Sequence, residues 1–165
     1  MLLAIFQTAA MQNDIYEWCR DHRAHHKYTD TDADPHNSRR GFFFAHMGWL
    51  LCRKHPEVKV KGRAVDMSDL MADPIVRFQR KYYKLLVILI RGVVFTGVIG
   101  VYWMGQTLWH SFCANCFCYV VTLHHTWLVN SAAHMYGTRP YDRSIRPREN
   151  KAVVYASMGR NLIPS

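Results

Sequence analysis

Charge is missing from a long stretch of this sequence. Residues 92–138 contain no Lys, Arg, Asp or Glu. Water-soluble domains carry about a quarter charged residues, so a gap of that length excludes an ordinary soluble domain. Acid is scarce as well, with 12 Asp and Glu against 21 Lys and Arg and a net charge of +9. Repeats and low-complexity tracts are absent, which excludes a solenoid. A hydrophobic content of 50% excludes disorder. The cysteines, Cys19, Cys52, Cys113, Cys116 and Cys118, are odd in number and lack disulfide-like spacing, which argues against a secreted, stapled domain. Cys113 and Cys116 form a CxxC with no second pair, so packing is the favoured reading over zinc. Met1–Ala10 is apolar without a basic leader, which argues against a cleaved signal peptide. It is also shorter than the roughly 20 residues a spanning helix needs, so it reads as the last turns of a longer element.

What is present is segregated. Residues 11–28 have helical spacing, with Ile15, Trp18 and Cys19 beside charged positions, and residues 29–41 are dense in turn formers. Residues 42–53 read as an apolar membrane-surface helix, and 54–66 as a basic linker. Asp66 or Ser68 can cap a short helix, and Asp73-Pro74 is a cap followed by proline at the first helical position. Residues 85–109 and 110–130 are two candidate membrane spans. Arg77, Arg80, Lys81 and Lys84 precede them, Arg139, Arg143, Arg146 and Arg148 follow, and the connector around 105–112 has no Lys or Arg. The positive-inside rule then puts both flanks in the cytosol. The predicted fold class is an all-α membrane protein, a transmembrane hairpin (85–109, 110–130) with cytosolic helices over 1–84 and a cytosolic segment over 131–165. Basic residues flanking an apolar block suit phosphate-bearing ligands and anionic headgroups, and no nucleic acid is expected as partner.

Ten histidines occur. His22, His25 and His26 fall at i, i+3 and i+4, on one helix face and about 5–6 Å apart at Cβ. Clustered neutral imidazoles suit iron, zinc or copper; the other reading is a solvated histidine-rich face. HxxHH lacks the glutamate of a zinc-protease HExxH. Glu17 and Asp21 are candidates to orient a ligand imidazole. Asn130 and His134 share a face beyond the second span. His124 and His125, near its cytosolic end, read as neutral hydrogen-bonded rings. His36, His46, His55 and His110 show no constellation.

These residues carry a family resemblance. Asn13-Asp-Ile-Tyr-Glu-Trp-Cys-Arg-Asp-His22-Arg-Ala-His25-His26, Asp34-Pro-His-Asn-Ser-Arg-Arg-Gly-Phe-Phe-Phe44, Gly48-Trp-Leu-Leu, Arg53-Lys54-His-Pro, Trp127-Leu-Val-Asn130-Ser-Ala-Ala-His134 and Pro147-Arg-Glu-Asn150 together resemble the membrane acyl-CoA desaturases of the stearoyl-CoA (delta-9) desaturase family. The details are similar to the insect members. The likeness runs from about residue 4 to residue 159. It implies insertion of a cis double bond into a saturated acyl-CoA by O2 and a histidine-held diiron centre, with electrons from cytochrome b5 and its reductase, in the endoplasmic reticulum membrane with the histidines facing the cytosol. It implies His22 and His26 as ligands of one iron and His25 and His134 as ligands of the other, with Asn130 reaching the second iron through water. Asn13, Arg20, Asp21, Arg53 and Lys54 match contacts to acyl-CoA, and Trp127 a contact near the acyl chain.

The sequence also departs from that family. The family's first box, HxxxxH, and third, HNYHH, are absent, and the match breaks after Gly159. A truncated gene, splice variant or frameshift accounts for such a pattern. Catalytic metal sites need at least three protein ligands, so these 165 residues alone are expected to be inactive. A second reading is a non-catalytic membrane protein that binds acyl-CoA or pairs with a full-length desaturase. A third, a soluble zinc-binding helical domain, fails on the uncharged stretch and the open ligand set.

Overall fold

A computed structural model gives the fold and describes residues 1–137. Among those residues every regular element is helical and none is a strand, in agreement with the predicted all-α class. The arginines from Arg139 to Arg148 and the motif matches between Arg139 and Gly159 lie outside the described residues. The chain divides into two compact units, one of Met1–Cys19 with Asp66–Thr122, the other of Arg20–Val65 with Leu123 onward.

In the first unit, α1 (Leu2–Ala10) stops where Met11 turns left-handed at φ 53 and donates its N–H to the Thr8 carbonyl. The predicted helix over 11–28 therefore starts later. Asn13 also lies at positive φ (70), and Asp14 caps α2 (Ile15–Lys27) by accepting the Glu17 N–H at 3.0 Å. Gln79, 2% exposed, ties this unit together. Its Nε2 donates to Thr8 Oγ1 at 3.1 Å, and its Oε1 accepts the Ile15 N–H at 3.1 Å. A buried amide with both ends satisfied fixes the relation of three segments, because losing any partner strands a polar group. The Asp66 carboxylate accepts the Ser68 N–H ahead of α5 (Ser68–Ala72), and Asp73 caps α6 (Pro74–Val87) by accepting the Ile75 N–H at 2.7 Å.

α6 continues into a wide-turned helix, Ile88–Trp103, in which the bonding reaches five residues back. Together they make Pro74–Trp103, 30 residues, and α7 (Leu108–Met135) adds 28; both are long and apolar enough to cross a membrane. The boundaries differ from the predicted spans 85–109 and 110–130. Gly105 at φ +64 ends the first helix, and Thr107 Oγ1 accepts the His110 N–H, so Trp109 belongs to the second. No helix breaker separates Trp127 from His134, so α7 runs on to carry both Asn130 and His134. Large apolar side chains such as Leu85, Ile88 and Phe117 point outward, as a lipid-facing surface requires. Cys113, Cys116 and Cys118 are free and exposed, not packed inside the chain as the CxxC reading expected.

Arg91, the one charge within 85–109, does not stand alone. Its Nη2 donates to the Asn115 carbonyl at 3.0 Å, while Asn115 Nδ2 donates back to the Arg91 carbonyl at 2.9 Å and to Thr96 Oγ1 at 2.8 Å. Ser111 Oγ donates to the Thr96 carbonyl at 2.7 Å, and a Cβ built on Gly100 would overlap that hydroxyl. Close backbone approach at a small residue plus inter-helix hydrogen bonds is how helices associate where water gives no hydrophobic drive.

In the second unit the loop after α2 leads through a short turn, Ser38–Arg40, into residues 42–51. This segment is helical as predicted but widens at Phe44–Gly48 before α3 (Trp49–Leu51). Gly48 lies where the Phe43 ring would press on a Cβ at 3.1 Å. The predicted basic linker over 54–66 is instead largely helix, α4 (Pro56–Arg63). His55 caps it by accepting the Glu57 N–H, Pro56 takes the first turn, and Val58 and Gly62 are buried.

Candidate metal centre

The three histidines of α2 do share one face. The ring centroids of His22 and His26 are 4.5 Å apart, those of His25 and His26 5.7 Å, and those of His22 and His25 6.4 Å. One turn apart, His22 and His26 bring their Nε2 atoms to 3.1 Å. That is the spacing of a single N–H···N bond. It also suits two nitrogens binding one ion at about 2.1 Å each, near a right angle.

His25 is held differently. It is buried, and its Nδ1 lies 2.7 Å from Asp34 Oδ1. The Asp34 carboxylate also accepts the Asp30 N–H at 2.7 Å and the His36 N–H at 2.8 Å. An ionised carboxylate can only accept, so His25 carries a proton on Nδ1, and the tautomer this selects has its acceptor at Nε2. This is the orientation a ligand imidazole needs, with a carboxylate behind it. His134, from the far end of α7, comes to 5.1 Å from His25 between ring centroids. Its Nδ1 is 3.6 Å from Asp30 Oδ2, and both atoms are buried without a hydrogen-bond partner. Asp30 sits at φ 57, in the left-handed region where Asp is tolerated. Its Oδ1 accepts both the N–H and the hydroxyl of Ser38.

The rings thus fall into two pairs, His22 with His26 and His25 with His134. Among the described residues no group of three or more His, Cys, Asp or Glu is arranged to hold an ion. The donors nonetheless fit a metal. All are imidazoles; two Nε2 atoms face each other, and His25 has its other nitrogen engaged by a carboxylate.

The electrostatics favour neutral rings at His26 and His36. Burial lowers the His26 pKa, and the nearby His25 and His134 push it the same way. His36 is pushed down to about 3 by burial, helped by His25. Burial would raise the Asp30 carboxyl, but His134 and Ser38 outweigh it and hold it below the usual carboxylate range. Neutral imidazoles are the metal-binding form.

Two expectations are corrected. Asp21 does not orient an imidazole. It pairs with Arg20 at 3.2 Å and closely with Lys54. Among the described residues Glu17 donates its backbone N–H to Asp14 and meets no imidazole. The carboxylates behind the rings are Asp30 and Asp34, and the Asp-rich loop directly after the histidines was the available signal. His36 and His46 do have constellations. His36 packs 5.4 Å from His25 and 4.4 Å from Trp49. His46 bonds Ser131 and His124, so His124 is a hydrogen-bonded ring as expected. Asn130 lies one turn before His134 on α7.

Among the residues matched to acyl-CoA, Arg20, Asp21 and Lys54 form one cluster. Arg53 and Lys54 line a cleft of about 490 Å³ with Arg40, Lys59, Trp49 and Phe44. Trp127 packs at 5.8 Å from His46 and 5.3 Å from His124. Asn13 belongs to the other unit, where its left-handed turn precedes α2.

The described residues hold paired histidines on helices and two helices long and apolar enough to cross a bilayer, the make-up of an all-α membrane protein. Residues 1–160 match the family model for fatty acid desaturase. The chain is 58% identical over 163 residues to "Stearoyl-CoA desaturase 5" of Homo sapiens, covering 98% of this chain and 49% of that protein. It is 58% identical to "Stearoyl-CoA desaturase 4" of Mus musculus (98% and 46%) and 55% identical to "Acyl-CoA desaturase" of Cyprinus carpio (98% and 50%). The chain belongs to the fatty acid desaturase family, and it spans about half the length of the curated relatives it matches.

Proposed function

We propose that this chain is the middle part of an acyl-CoA desaturase that introduces a cis double bond into a saturated fatty acyl-CoA, at carbons nine and ten, in unsaturated fatty acid biosynthesis. The observation that carries this reading is the pairing of four imidazoles, His22 with His26 and His25 with His134, two of them backed by buried carboxylates. His22 and His26 would hold one iron and His25 and His134 the other, with Asn130 assisting at the second. Iron bound there would supply the oxidative chemistry that unactivated C–H bonds need and that side-chain acids and bases cannot perform.

The rest falls to this chain's own groups. Asp34 keeps His25 turned so that Nε2 points away from the carboxylate, and the Asp30 carboxylate stands 3.6 Å behind His134 Nδ1. Arg53 and Lys54 at the cleft, with Arg20 near Lys54, take the phosphates of the CoA moiety, where guanidinium groups donate in pairs, and Asp21, which pairs with Arg20 and Lys54, is a further acyl-CoA contact that accepts rather than donates. Asn13 contributes a further substrate contact. Trp127 stands near the acyl chain and helps fix which carbon pair is presented. Cytochrome b5 and its reductase supply the electrons, and the site faces the cytosol from the endoplasmic reticulum membrane. With only two imidazoles per iron, these 165 residues do not turn over by themselves.

A transplant tests this. Residues 4–159 replace the matching stretch of the human relative, and the chimera is expressed in desaturase-deficient membranes. Formation of monounsaturated acyl chains, abolished by His134→Ala, is expected. A chimera that reaches the membrane, binds stearoyl-CoA and forms no product refutes the enzymatic reading and leaves an acyl-CoA-binding membrane protein. Product from the 165-residue chain alone overturns the claim of inactivity.

A further inference from the structure

His46 stands outside the metal-binding histidines, and its ring is used twice. Nδ1 lies 2.9 Å from Ser131 Oγ, and Nε2 lies 2.9 Å from His124 Nδ1. Ser131 is fully buried and His46 is 8% exposed. The protons can be assigned. The Ser131 hydroxyl donates to the Trp127 carbonyl at 2.9 Å, so its oxygen accepts from His46 Nδ1–H. His46 Nε2 is then bare and accepts from His124 Nδ1–H. The His46 and His124 rings also stack at 5.1 Å, and Phe42 covers His46 at 5.4 Å.

His124 and Ser131 are seven residues apart, close to two turns of α7 at about 3.6 residues per turn, so they lie on one face. One imidazole therefore grips two successive turns of the same helix. A slip of one residue would rotate α7 by about 100° and break both bonds. Ser131 sits directly after Asn130 and three residues before His134, so the grip lies over the turn that carries both.

We infer that His46 is a positioning residue: by bonding Ser131 and His124 together, it sets the rotation and register of the end of α7, and with them the placement of His134 and Asn130. This inference rests on the metal-site reading above for its consequence, but the grip itself is a property of the metal-free chain.

The test uses the whole chain in lipid nanodiscs, with hydrogen exchange of residues 123–135 and Co²⁺ titration read in parallel. His46→Phe keeps an aromatic ring, slightly larger, and removes both nitrogens. Exchange over 123–135 is expected to speed up about tenfold, and Co²⁺ affinity to fall 10–100-fold, as losses of supporting hydrogen bonds behind a ligand do. Ser131→Ala is expected to act in the same direction, and the double variant to add little, because the two groups share one bond. His46→Asn places an amide near the Nδ1 position and is expected to recover part of both readouts. Unchanged exchange in His46→Phe overturns the inference, as does equal loss in His46→Phe and His46→Asn. If the unaltered chain takes up no Co²⁺, the metal reading fails, while exchange still decides whether His46 grips α7.

Discussion

Replacing Asp34 by alanine removes an acceptor from three buried donors at once. The side chain of Asp34 is wholly enclosed, and it serves His25 Nδ1 at 2.7 Å, the Asp30 N–H at 2.7 Å and the His36 N–H at 2.8 Å. Hydrogen bonds to charged groups are worth about 1.5–3 kcal/mol each. The three share one carboxylate, so their losses are not additive. A cost of about 4 kcal/mol is expected, equivalent to a fall of roughly 10 °C in melting temperature for a chain of this size. Asp34→Asn separates shape from charge. Its oxygen can still serve two donors, but its NH2 then faces an N–H, so about half the loss is expected. Thermal unfolding in detergent, followed by circular dichroism, gives the stability. Imidazole ¹⁵N shifts report whether His25 keeps its proton on Nδ1. An Asp34→Ala protein within 0.5 °C of the parent, or an unchanged His25 tautomer, would refute the claim that this carboxylate orients the ring.

Acid is expected to destabilise the metal-free chain below neutrality. The His36 pKa lies at about 3 in the folded chain against an ordinary 6.5, so the unfolded chain binds more protons between those values. Stability therefore falls as pH drops from 6.5 toward 3, by at most about 1.4 kcal/mol per pH unit from this ring. His36→Gln should flatten the melting temperature against pH in that window, and an unchanged slope would count against it. In the membrane hairpin, Gly100→Ala forces a methyl into the Ser111 hydroxyl and should cost about 1–3 kcal/mol, with Ser111→Gly restoring the fit in the double variant. Asn115→Ala removes the donors to the Arg91 carbonyl and Thr96 Oγ1, and should cost about 1 kcal/mol in unfolding from bilayer-like micelles.

What could be read from the sequence was whatever depends on local spacing. The i, i+4 relation of His22 and His26 dictates their approach once a helix forms, and the Asp73-Pro74 cap dictates where α6 starts. The hairpin was legible as an uncharged run with its connector around 105–112, but the boundary drawn at 109/110 falls inside α7, because the Gly105 conformation and the Thr107 cap weigh more than apolar composition. The linker over 54–66 hid a helix because its stabilisers, the His55 cap and the burial of Val58, are weak signals in a basic stretch. Asp30, Asp34 and His46 were missed as partners for a different reason. Each acts on a residue it meets through the loop or the tertiary fold, and no periodicity encodes that meeting.

The two imidazole pairs consequently have different standing in the fold. His22 and His26 are neighbours on a single helix, so their approach survives as long as α2 does. His25 and His134 are 109 positions apart and meet only while the end of α7 stays seated, with Asp34 behind one ring and Asp30 near the other. Helical spacing alone preserves the first pair; the second depends on buried polar contacts that fail together. Mild destabilisation of the chain is therefore expected to remove one pair before the other. In a urea titration, chemical modification by diethyl pyrocarbonate, read by mass spectrometry, should reach His134 and His25 at concentrations where amides of α2 remain protected. Simultaneous loss of α2 protection and exposure of His134 would show instead that the two pairs form one cooperative unit.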